Sequence, residues 1–351
     1  MKADVLSRRR ALALMLAAPA GAQAQGFAGL GTAAEGFALP ERGRVLTFPA
    51  DHGAHPDYRI EWWYLTANLT GPDGLPCGLQ WTLFRTAFAP REAEGWSSPQ
   101  LWMGHAAVTL PDRHLAAERL ARGGIGQAGV TASPFSAWID DWRMEGTTMD
   151  NLRLSASGPD FAYALDLRAE GPLVLHGDAG YSLKSNDGQA SHYYSQPYYF
   201  AEGEILLEDQ ILRVNGNAWL DREWSSQPLA PDQTGWDWFS LSFASGDKMM
   251  GFILRGGTDF AAATWIAPDG EPTTFPDGAL TARPLTRHDT ATGPVVPVVW
   301  QVMLPARGLD VTVTALNPDA WMAVTVPYWE GPVTITGSHP GRGYLEMTGY
   351  V

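Results

Sequence analysis

The sequence has only one cysteine, Cys77, among 351 residues. A single thiol cannot form an internal disulfide, and it cannot supply the paired C-x-x-C motifs of a structural zinc site. Disulfide-stapled secreted domains are therefore excluded as a class. We interpret Cys77 as a packed thiol and not as a nucleophile.

Long apolar runs are also missing. Near the N-terminus Arg8, Arg9 and Arg10 precede an apolar run over residues 11–20, and Ala22-Gln23-Ala24 suits a cleavage site. That run is too short to span a bilayer, so residues 1–24 are predicted to be an export signal. The Ser7-Arg8-Arg9 start suggests the twin-arginine route, although Ala11 in place of a Phe leaves the general route open. A periplasmic or secreted protein without an integral membrane segment in its mature form is expected.

Positive charge is scarce. The chain has 24 Lys and Arg against 38 Asp and Glu, a formal net charge of −14. An acidic surface repels phosphate backbones and anionic lipids. We therefore expect no nucleic-acid partner.

Helical periodicity is nearly absent. Fifteen Trp, 38 Gly and 26 Pro are spread among short alternating segments, which is typical of an all-β chain. The one predicted helix is short, over Arg113–Gly123. The polar, Pro-containing stretch Ser225–Gly235 is the best domain boundary, and it predicts two β-barrel domains in tandem, residues 45–224 and residues 236–351.

Familiar catalytic signatures are missing as well. The chain contains no G-x-S-x-G elbow, Walker loop or H-E-x-x-H motif. The stretch DHGAHPD, residues 51–57, places His52 and His55 among carboxylates, but a loop of turn-forming polar residues explains it better than a metal site. The sequence thus predicts neither a metal nor a cofactor.

What is present is aromatic. Trp62, Trp63 and Tyr64 follow one another in a predicted strand, and neighbouring strand residues point to opposite faces. Both faces of this strand must therefore be packed against other parts of the protein, or against a ligand, to be shielded from water. A barrel meets this need, with one face against outer packing and the other against an interior that can hold an apolar ligand. The alternative is that these rings only fill two cores.

The predicted strand Ile211–Glu223 combines aromatic and acidic residues. Period-two alternation puts Trp219 and Asp221 on one face and an aliphatic set on the other. His192 and Tyr194 share a face of an earlier strand. If all four converged, desolvation would raise the pKa of Asp221 and make the carboxyl a general acid. Alternatively, Asp221 is a surface carboxylate or is paired with Arg222 or Arg85.

Five stretches are distinctive in their order and spacing: HPDYRIEWWYLTANL, YYSQP, GNAWLDREWSS, GWDWFSLSF and YWEGPVTITGSHPGRGYLEMTGY. They resemble the secreted AttH-like proteins, relatives of the carotenoid 1,2-hydratases (the CrtC family), over nearly the whole mature chain. The resemblance implies two lipocalin-like β-barrels in tandem with few short helices, and a hydrophobic ligand such as an isoprenoid, carotenoid or lipid.

The resemblance also implies a site. In the hydratases an Asp protonates a terminal alkene beside a His, a Trp and a Tyr, and water captures the cation. That pattern falls on His192, Tyr194, Trp219 and Asp221. The chain departs from it twice, because Tyr194 stands in place of Trp and Trp219 in place of Tyr, so the substrate does not follow from it.

Three hypotheses remain. The leading one is a cofactor-independent hydro-lyase with Asp221, His192, Trp219 and Tyr194 as catalytic residues. A non-catalytic carrier would use the same lining, with Asp221, Asn215 and Asn217 holding a polar head group. A hydrolase with an activated Ser195 is the third. For the first two we predict that the ligand contacts Trp62, Tyr64, Trp236 and Trp238.

Overall fold

The structure is a computed structural model that describes residue 30, residues 35–208 and residues 210–350. The predicted export signal, residues 1–24, lies outside the described residues. Within them the chain forms twenty-three strands and no α-helix, with short 3-10 helices at Ala50–His52, Pro72–Gly74, Gly95–Ser97 and Pro305–Arg307. The predicted all-β class is confirmed.

The first sheet contains thirteen strands. Their spatial order is β4-β3-β2-β1-β13-β12-β9-β8-β7-β6-β5, with β10 and β11 pairing β12. The strands are β1 (Ile60–Thr70), β2 (Pro76–Ala87), β3 (Gln100–Leu110), β4 (Arg113–Arg122), β5 (Ala128–Ala132), β6 (Phe135–Ile139), β7 (Trp142–Thr148), β8 (Asn151–Ser157), β9 (Phe161–Ala169), β10 (Val174–Leu175), β11 (Tyr181–Leu183), β12 (Ala190–Leu207) and β13 (Gln210–Ser225).

The second sheet contains ten strands, in the order β17-β16-β15-β14-β23-β22-β20-β19-β18, with β21 pairing β22. Both sheets are barrel-like, as two lipocalin-like barrels in tandem require. The strands are β14 (Gly235–Phe243), β15 (Lys248–Arg255), β16 (Phe260–Ile266), β17 (Pro272–Phe275), β18 (Thr281–Asp289), β19 (Val295–Leu304), β20 (Leu309–Ala315), β21 (Trp321–Met322), β22 (Tyr328–Gly337) and β23 (Gly341–Thr348).

Strand β1 is buried on both faces, which answers the question raised by its three aromatic residues. Trp63, Leu65 and Ala67 point into the core of the first barrel. On the opposite face, Tyr64 and Trp62 pack in a hydrophobic cluster that also includes Trp238, on β14 of the second barrel. One face of β1 thus fills a barrel interior and the other meets the neighbouring barrel.

Polar contacts tie the two barrels together. The Tyr64 hydroxyl donates to Glu330, and the Trp238 indole N–H donates to the Tyr193 hydroxyl at 3.0 Å. Buried donors and acceptors gain specificity from such pairing because leaving either one unpaired is costly. These two contacts therefore fix how β1 and β12 face the second barrel.

The predicted helix over Arg113–Gly123 is wrong, because Arg113–Arg122 is strand β4. Its Ala, Leu, Glu and Arg residues favour a helix in isolation. In the fold, the segment pairs antiparallel with β3 from Leu110↔Arg113 to Leu101↔Arg122. Tertiary pairing overrides the local preference at this edge of the sheet.

The alternative in which Arg85 or Arg222 neutralises Asp221 is not what the structure shows. Both arginines bind the buried Glu61 instead, Arg85 Nη2 at 2.6 Å and Arg222 Nη2 at 3.1 Å. His55 also contacts Glu61, at 3.3 Å through Nδ1. Both arginines are therefore committed to the interior of the first barrel.

In the part of the chain described by the structure, no three His, Cys, Asp or Glu side chains are grouped so as to hold a metal ion. That part also contains no helix with the length and apolarity needed to cross a bilayer.

Candidate active site between the two barrels

A cavity lies where β1 and β13 of the first barrel face β14 and β23 of the second. Its volume is about 80 Å³. Its walls are mostly aromatic and aliphatic, and its polar residues are two carboxyl groups, a Lys–Glu pair and two tyrosines. The lining residues include Trp62, Tyr64, Lys184, Tyr193, Asp221, Glu223, Leu229, Trp236, Trp238, Phe252, Leu254 and Glu346. We call this the smaller cavity.

A second cavity adjoins it and shares Trp62, Trp236 and Glu346 with it. It is larger, about 330 Å³. Apolar side chains dominate its lining, which includes Ile60, Phe84, Phe88, Leu101, Met103, Leu120, Val326 and Tyr328. This larger cavity suits an elongated apolar group, because sites for such ligands are concave and lined with hydrophobic and aromatic side chains.

Asp221 sits in the wall of the smaller cavity with 4% of its surface exposed. Three donors hold it. The Tyr193 hydroxyl donates to Oδ2 at 2.5 Å, the Trp219 indole N–H donates to Oδ1 at 2.6 Å, and Ser195 Oγ bonds Oδ1. Such a set fixes the carboxyl group in one orientation toward the cavity.

Burial raises the pKa of Asp221 to about 7. Hydrogen bonds from Ser195, Tyr193 and Trp219 favour the ionised form and work against this rise, while the nearby Glu223 adds to it. No salt bridge to Asp221 occurs among the described residues, so desolvation is the largest effect on its pKa. A carboxyl group with a pKa near the working pH is suited to general acid catalysis.

A chain of hydrogen bonds runs from Asp221 through Ser195 to His176. Ser195 Oγ lies 2.6 Å from His176 Nε2, and burial together with Lys184 lowers the pKa of His176 to about 3. The serine hydroxyl has one proton. When Asp221 is protonated, Ser195 can donate that proton to the neutral imidazole of His176. When Asp221 is ionised, Ser195 can donate it to the carboxylate while the imidazole N–H donates to Ser195 Oγ. The chain of contacts is therefore compatible with both protonation states of Asp221.

Glu346 is the second carboxyl group of the smaller cavity, and it comes from the second barrel. The Trp236 indole N–H donates to its Oε1 at 2.5 Å. Burial raises the pKa of Glu346 to about 7, with smaller contributions from Asp221 and Glu223. Hydrogen bonds with Trp236 and Tyr64 favour the ionised form and oppose this rise. Two carboxyl groups of similar pKa thus meet one cavity from different barrels.

The cavity wall also includes an ion pair. Lys184 Nζ lies 2.8 Å from Glu223 Oε1 and 4.2 Å from the centre of the Phe252 ring. Lys184 is thereby held over the aromatic wall, where its charge is balanced by Glu223.

The structure does not bring His192 and Tyr194 to Asp221. In the β12–β13 register Ser195 is opposite Asp221, Tyr194 is opposite Arg222 and His192 is opposite Trp224. Cross-strand partners share a face and successive residues alternate, so His192 and Tyr194 lie on the other side of the sheet. The expectation that all four residues converge is therefore wrong: Trp219 lies beside Asp221, and His192 and Tyr194 do not.

On that other side, Tyr194 Oη contacts His52 Nδ1 at 2.6 Å. His192 packs against Tyr58 and Trp224, and within the described residues neither of its ring nitrogens has a hydrogen-bond partner. Burial, with Arg44 and His55, lowers the pKa of His192 to about 4. This imidazole is a neutral packing group.

The other predicted site residues are placed as follows. Trp219 and Asp221 share a face, as the alternation predicted, and Trp219 binds the carboxyl group directly. Trp62, Tyr64, Trp236 and Trp238 all line the smaller cavity. Asn215 and Asn217 are exposed on β13 and line neither cavity, so they do not join Asp221 in holding a head group.

Sequence reasoning missed Tyr193, Ser195 as a partner of Asp221, His176 and Glu346. The period-two pattern places Tyr193 and Ser195 on one face of β12, but only the register with β13 shows that this face includes Asp221. No sequence signal pointed to His176, because it lies outside β10, in the loop toward β11.

Comparison with known proteins agrees with this architecture. The crystal structure of a candidate AttH protein from Nitrosomonas europaea is 35% identical, with a TM-score of 0.82 over 90% of this chain and 100% of that one. Kievitone hydratase from Nectria haematococca shares the fold at 16% identity, with a TM-score of 0.64 over 90% and 98% of the two chains.

CghA, solved with Sch210972, shares the fold at 11% identity, with a TM-score of 0.56 over 91% of this chain and 97% of that one. No curated protein matches the sequence. The model of the AttH-like family matches residues 39–350. Because that match covers nearly all of the described chain, this protein belongs to the AttH-like family.

Proposed function

We propose that this protein binds an extended, isoprenoid-like hydrophobic molecule between its two barrels and adds water to a terminal alkene, with Asp221 as the general acid. One observation carries the proposal: a buried carboxyl group with a pKa of about 7 lines an aromatic cavity. Kievitone hydratase, a hydratase by name, shares the two-barrel fold, which supports a hydration reaction without identifying the substrate.

The two cavities favour an elongated substrate. Its alkene end would occupy the smaller cavity beside Asp221, and its apolar tail would occupy the larger cavity past Trp62 and Trp236. Burying a hydrocarbon tail stabilises the complex by about 25 cal/mol per Å² of apolar surface removed from water. Tail length should therefore control affinity, while the alkene end controls turnover.

The chemistry needs only a proton and water. The Asp221 O–H bond breaks as its proton adds to the less substituted alkene carbon, and a tertiary carbocation forms at the other. A water oxygen then forms a C–O bond to that carbon, and the oxonium releases a proton. The product is a tertiary alcohol, heavier than the substrate by one water.

The aromatic walls suit the cation. Indole and phenol faces attract cations by about 0.5–2 kcal/mol per ring, depending on desolvation. We assign this role to the four aromatic residues that line the cavity, Trp62, Tyr64, Trp236 and Trp238. Trp219 instead donates to Asp221 and lines neither cavity, so we assign it the role of positioning the acid.

The test is hydration of a short isoprenoid alkene, such as farnesol, by the purified protein and by Asp221→Asn. The amide keeps the size of the side chain but has no acidic proton to deliver. Loss of at least about a hundredfold in rate is expected, the lower range for a general acid. Equal rates for the two proteins would reject the role of Asp221.

A carrier without chemistry is the second candidate, and the ion pair at the cavity wall favours it. Lys184 and Glu223 could bind the head group of a lipid while the larger cavity takes its chain. Native mass spectrometry of gently purified protein separates the candidates. A retained and chemically unchanged lipid supports the carrier, and an alcohol heavier by one water supports the enzyme.

Hydrolysis is the least supported candidate. Ser195 does have an imidazole within 2.6 Å, that of His176. However, Ser195 is fully buried and lines neither cavity, so its Oγ is not presented to a substrate. Covalent labelling of Ser195 by a fluorophosphonate would revive this candidate.

The export signal predicted from residues 1–24 makes the periplasm or the exterior of the cell the proposed location. Cleavage after Ala24 in the exported protein, read by N-terminal sequencing, would test this.

A further inference from the structure

We propose that Glu346 is a second catalytic residue, a general base that takes a proton from the attacking water while Asp221 protonates the alkene. The proposal rests on the hydration proposed above and names the group that completes it. In this proposal each barrel supplies one catalytic residue, the acid from β13 of the first barrel and the base from β23 of the second.

The placement of Glu346 is the first argument. It lines both the smaller and the larger cavity, together with Trp62 and Trp236. A molecule that occupies both cavities would therefore lie against their shared wall, which includes this carboxyl group. Glu346 is therefore next to the substrate in the pose that brings the alkene to Asp221.

Its orientation is the second argument. The Trp236 N–H fixes Oε1, and strand pairing places Glu346 opposite Trp238 on one side and Glu330 on the other. Glu346 is only half-buried although its neighbours on β23 are buried, as expected for a group that lines a cavity. A carboxylate held in this way can accept a hydrogen bond from a water molecule in the cavity.

The electrostatics support a division of labour. The negative charge of ionised Asp221 raises the pKa of Glu346. Each carboxyl group therefore binds its proton more tightly when the other one is ionised. Near neutral pH the pair can carry a single proton, which leaves one acid and one base in the same cavity. Substrate bound with its alkene against Asp221 meets the two groups in these roles.

The atoms balance over one turnover. The Asp221 proton forms the new C–H bond, and the water oxygen forms the new C–O bond. The water O–H bond breaks as its proton passes to the Glu346 carboxylate. Exchange with solvent returns a proton to Asp221 and removes one from Glu346, and the net change is the addition of water to the alkene.

Glu330 provides a matched control. It is another buried carboxyl group, it is the cross-strand neighbour of Glu346, and burial raises its pKa well above the usual range. Yet it lines neither cavity, and the amide oxygen in Glu330→Gln can still accept the hydrogen bond from the Tyr64 hydroxyl, so the contact between the barrels is kept. Glu330→Gln and Glu346→Gln therefore remove the same acidic group from adjacent positions, and only the second faces the substrate.

The experiment follows farnesol in D₂O with the wild type, Asp221→Asn, Glu346→Gln, Glu346→Asp and Glu330→Gln. Alcohol formation reports water capture, and deuterium in the recovered alkene reports protonation of the alkene and its reversal. Thermal unfolding shows that each variant is folded, and quenching of tryptophan fluorescence by farnesol shows that it binds.

The expected pattern separates the two carboxyl groups. Asp221→Asn loses both alcohol and exchange. Glu346→Gln loses alcohol formation at least about a hundredfold but keeps deuterium exchange, because the cation still forms and returns a proton. Glu346→Asp recovers part of the alcohol, and Glu330→Gln behaves as the wild type.

Other patterns overturn the proposal. If Glu346→Gln keeps more than half of the alcohol formation, or loses exchange together with alcohol as Asp221→Asn does, Glu346 is not the base and the role of Asp221 stands. If the folded wild type, binding farnesol, gives neither alcohol nor exchange, the proposed hydration fails and the role of Glu346 fails with it.

Discussion

At the scale of single residues, two buried carboxyl groups in one sheet have opposite properties. Glu61 is fully buried beside Arg85 and Arg222, which hold its pKa well below the usual range despite the desolvation. Asp221 is buried with donors that have no charge, and its pKa rises to about 7. The nature of the partners, and not the depth of burial, decides which carboxyl group can deliver a proton.

This difference predicts how stability depends on pH. The pKa of Asp221 is raised in the folded state from 3.8 to about 7, so the folded state binds this proton more tightly. The resulting stabilisation is complete below about pH 4 and is lost as the pH rises through 7. At about 1.4 kcal/mol per pKa unit, the loss is on the order of 4 kcal/mol at most.

Urea unfolding at intervals between pH 4.5 and pH 8 measures this effect. The free energy of unfolding of the wild type should fall across that range, and Asp221→Asn should show a shallower fall because it has no proton to lose there. Parallel curves for the two proteins would show that Asp221 titrates at its ordinary pKa.

At the scale of elements, the strands β12 and β13 show how far the sequence leads. Alternation alone places Trp219 and Asp221 on one face and the aliphatic residues on the other, and the structure agrees. Alternation does not give the register between two strands. The pairing of Ser195 with Asp221 brings in Tyr193 and sends His192 and Tyr194 to the opposite side.

Other features also depend on long-range pairing. The segment Arg113–Gly123 has a helical composition, and only its partner β3 makes it a strand. The position of Glu346 at two cavities depends on how the second barrel packs against β1 and β13. The fold class was therefore readable from the sequence, whereas the site was readable only in part: Asp221 and its aromatic neighbours were predicted, and Tyr193, His176 and Glu346 were not.

One close contact between strands makes a prediction about barrel packing. A Cβ atom at Gly78 of β2 would lie 2.4 Å from Pro332 Cγ of β22. The proline ring cannot rotate away, so Gly78→Ala should push the barrels apart at this point. We expect a loss of about 1–3 kcal/mol in the free energy of unfolding, the usual cost of overpacking.

Gly71→Ala is the control for that substitution. Gly71 lies near the same hairpin, and an added Cβ would meet its nearest neighbour at 3.6 Å, an ordinary contact. Denaturant unfolding should show the loss only for Gly78→Ala. Equal stability of the two variants would mean that the barrels have room to adjust at Pro332.

At the scale of the whole molecule, the cavity belongs to neither barrel alone. Asp221, Tyr193 and Trp62 come from the first barrel, and Trp236 and Glu346 come from the second. A carboxyl group kept away from water therefore requires both barrels in contact. This explains physically why two similar folds in tandem form one site.

Ligand binding should consequently protect both barrels. With farnesol bound, hydrogen–deuterium exchange should slow for amides in β1 and β13 of the first barrel and in β14 and β23 of the second. Protection confined to the strands of one barrel would place the ligand inside that barrel and not between the two.

The most direct measurement is the titration of Asp221 itself. Protein labelled with ¹³C at the aspartate carboxyl carbons can be titrated by NMR, and the signal absent from Asp221→Asn identifies the residue. The account predicts a midpoint at about pH 7. A midpoint near pH 4 or below would show an ionised carboxylate at neutral pH, and Asp221 could not then be the acid.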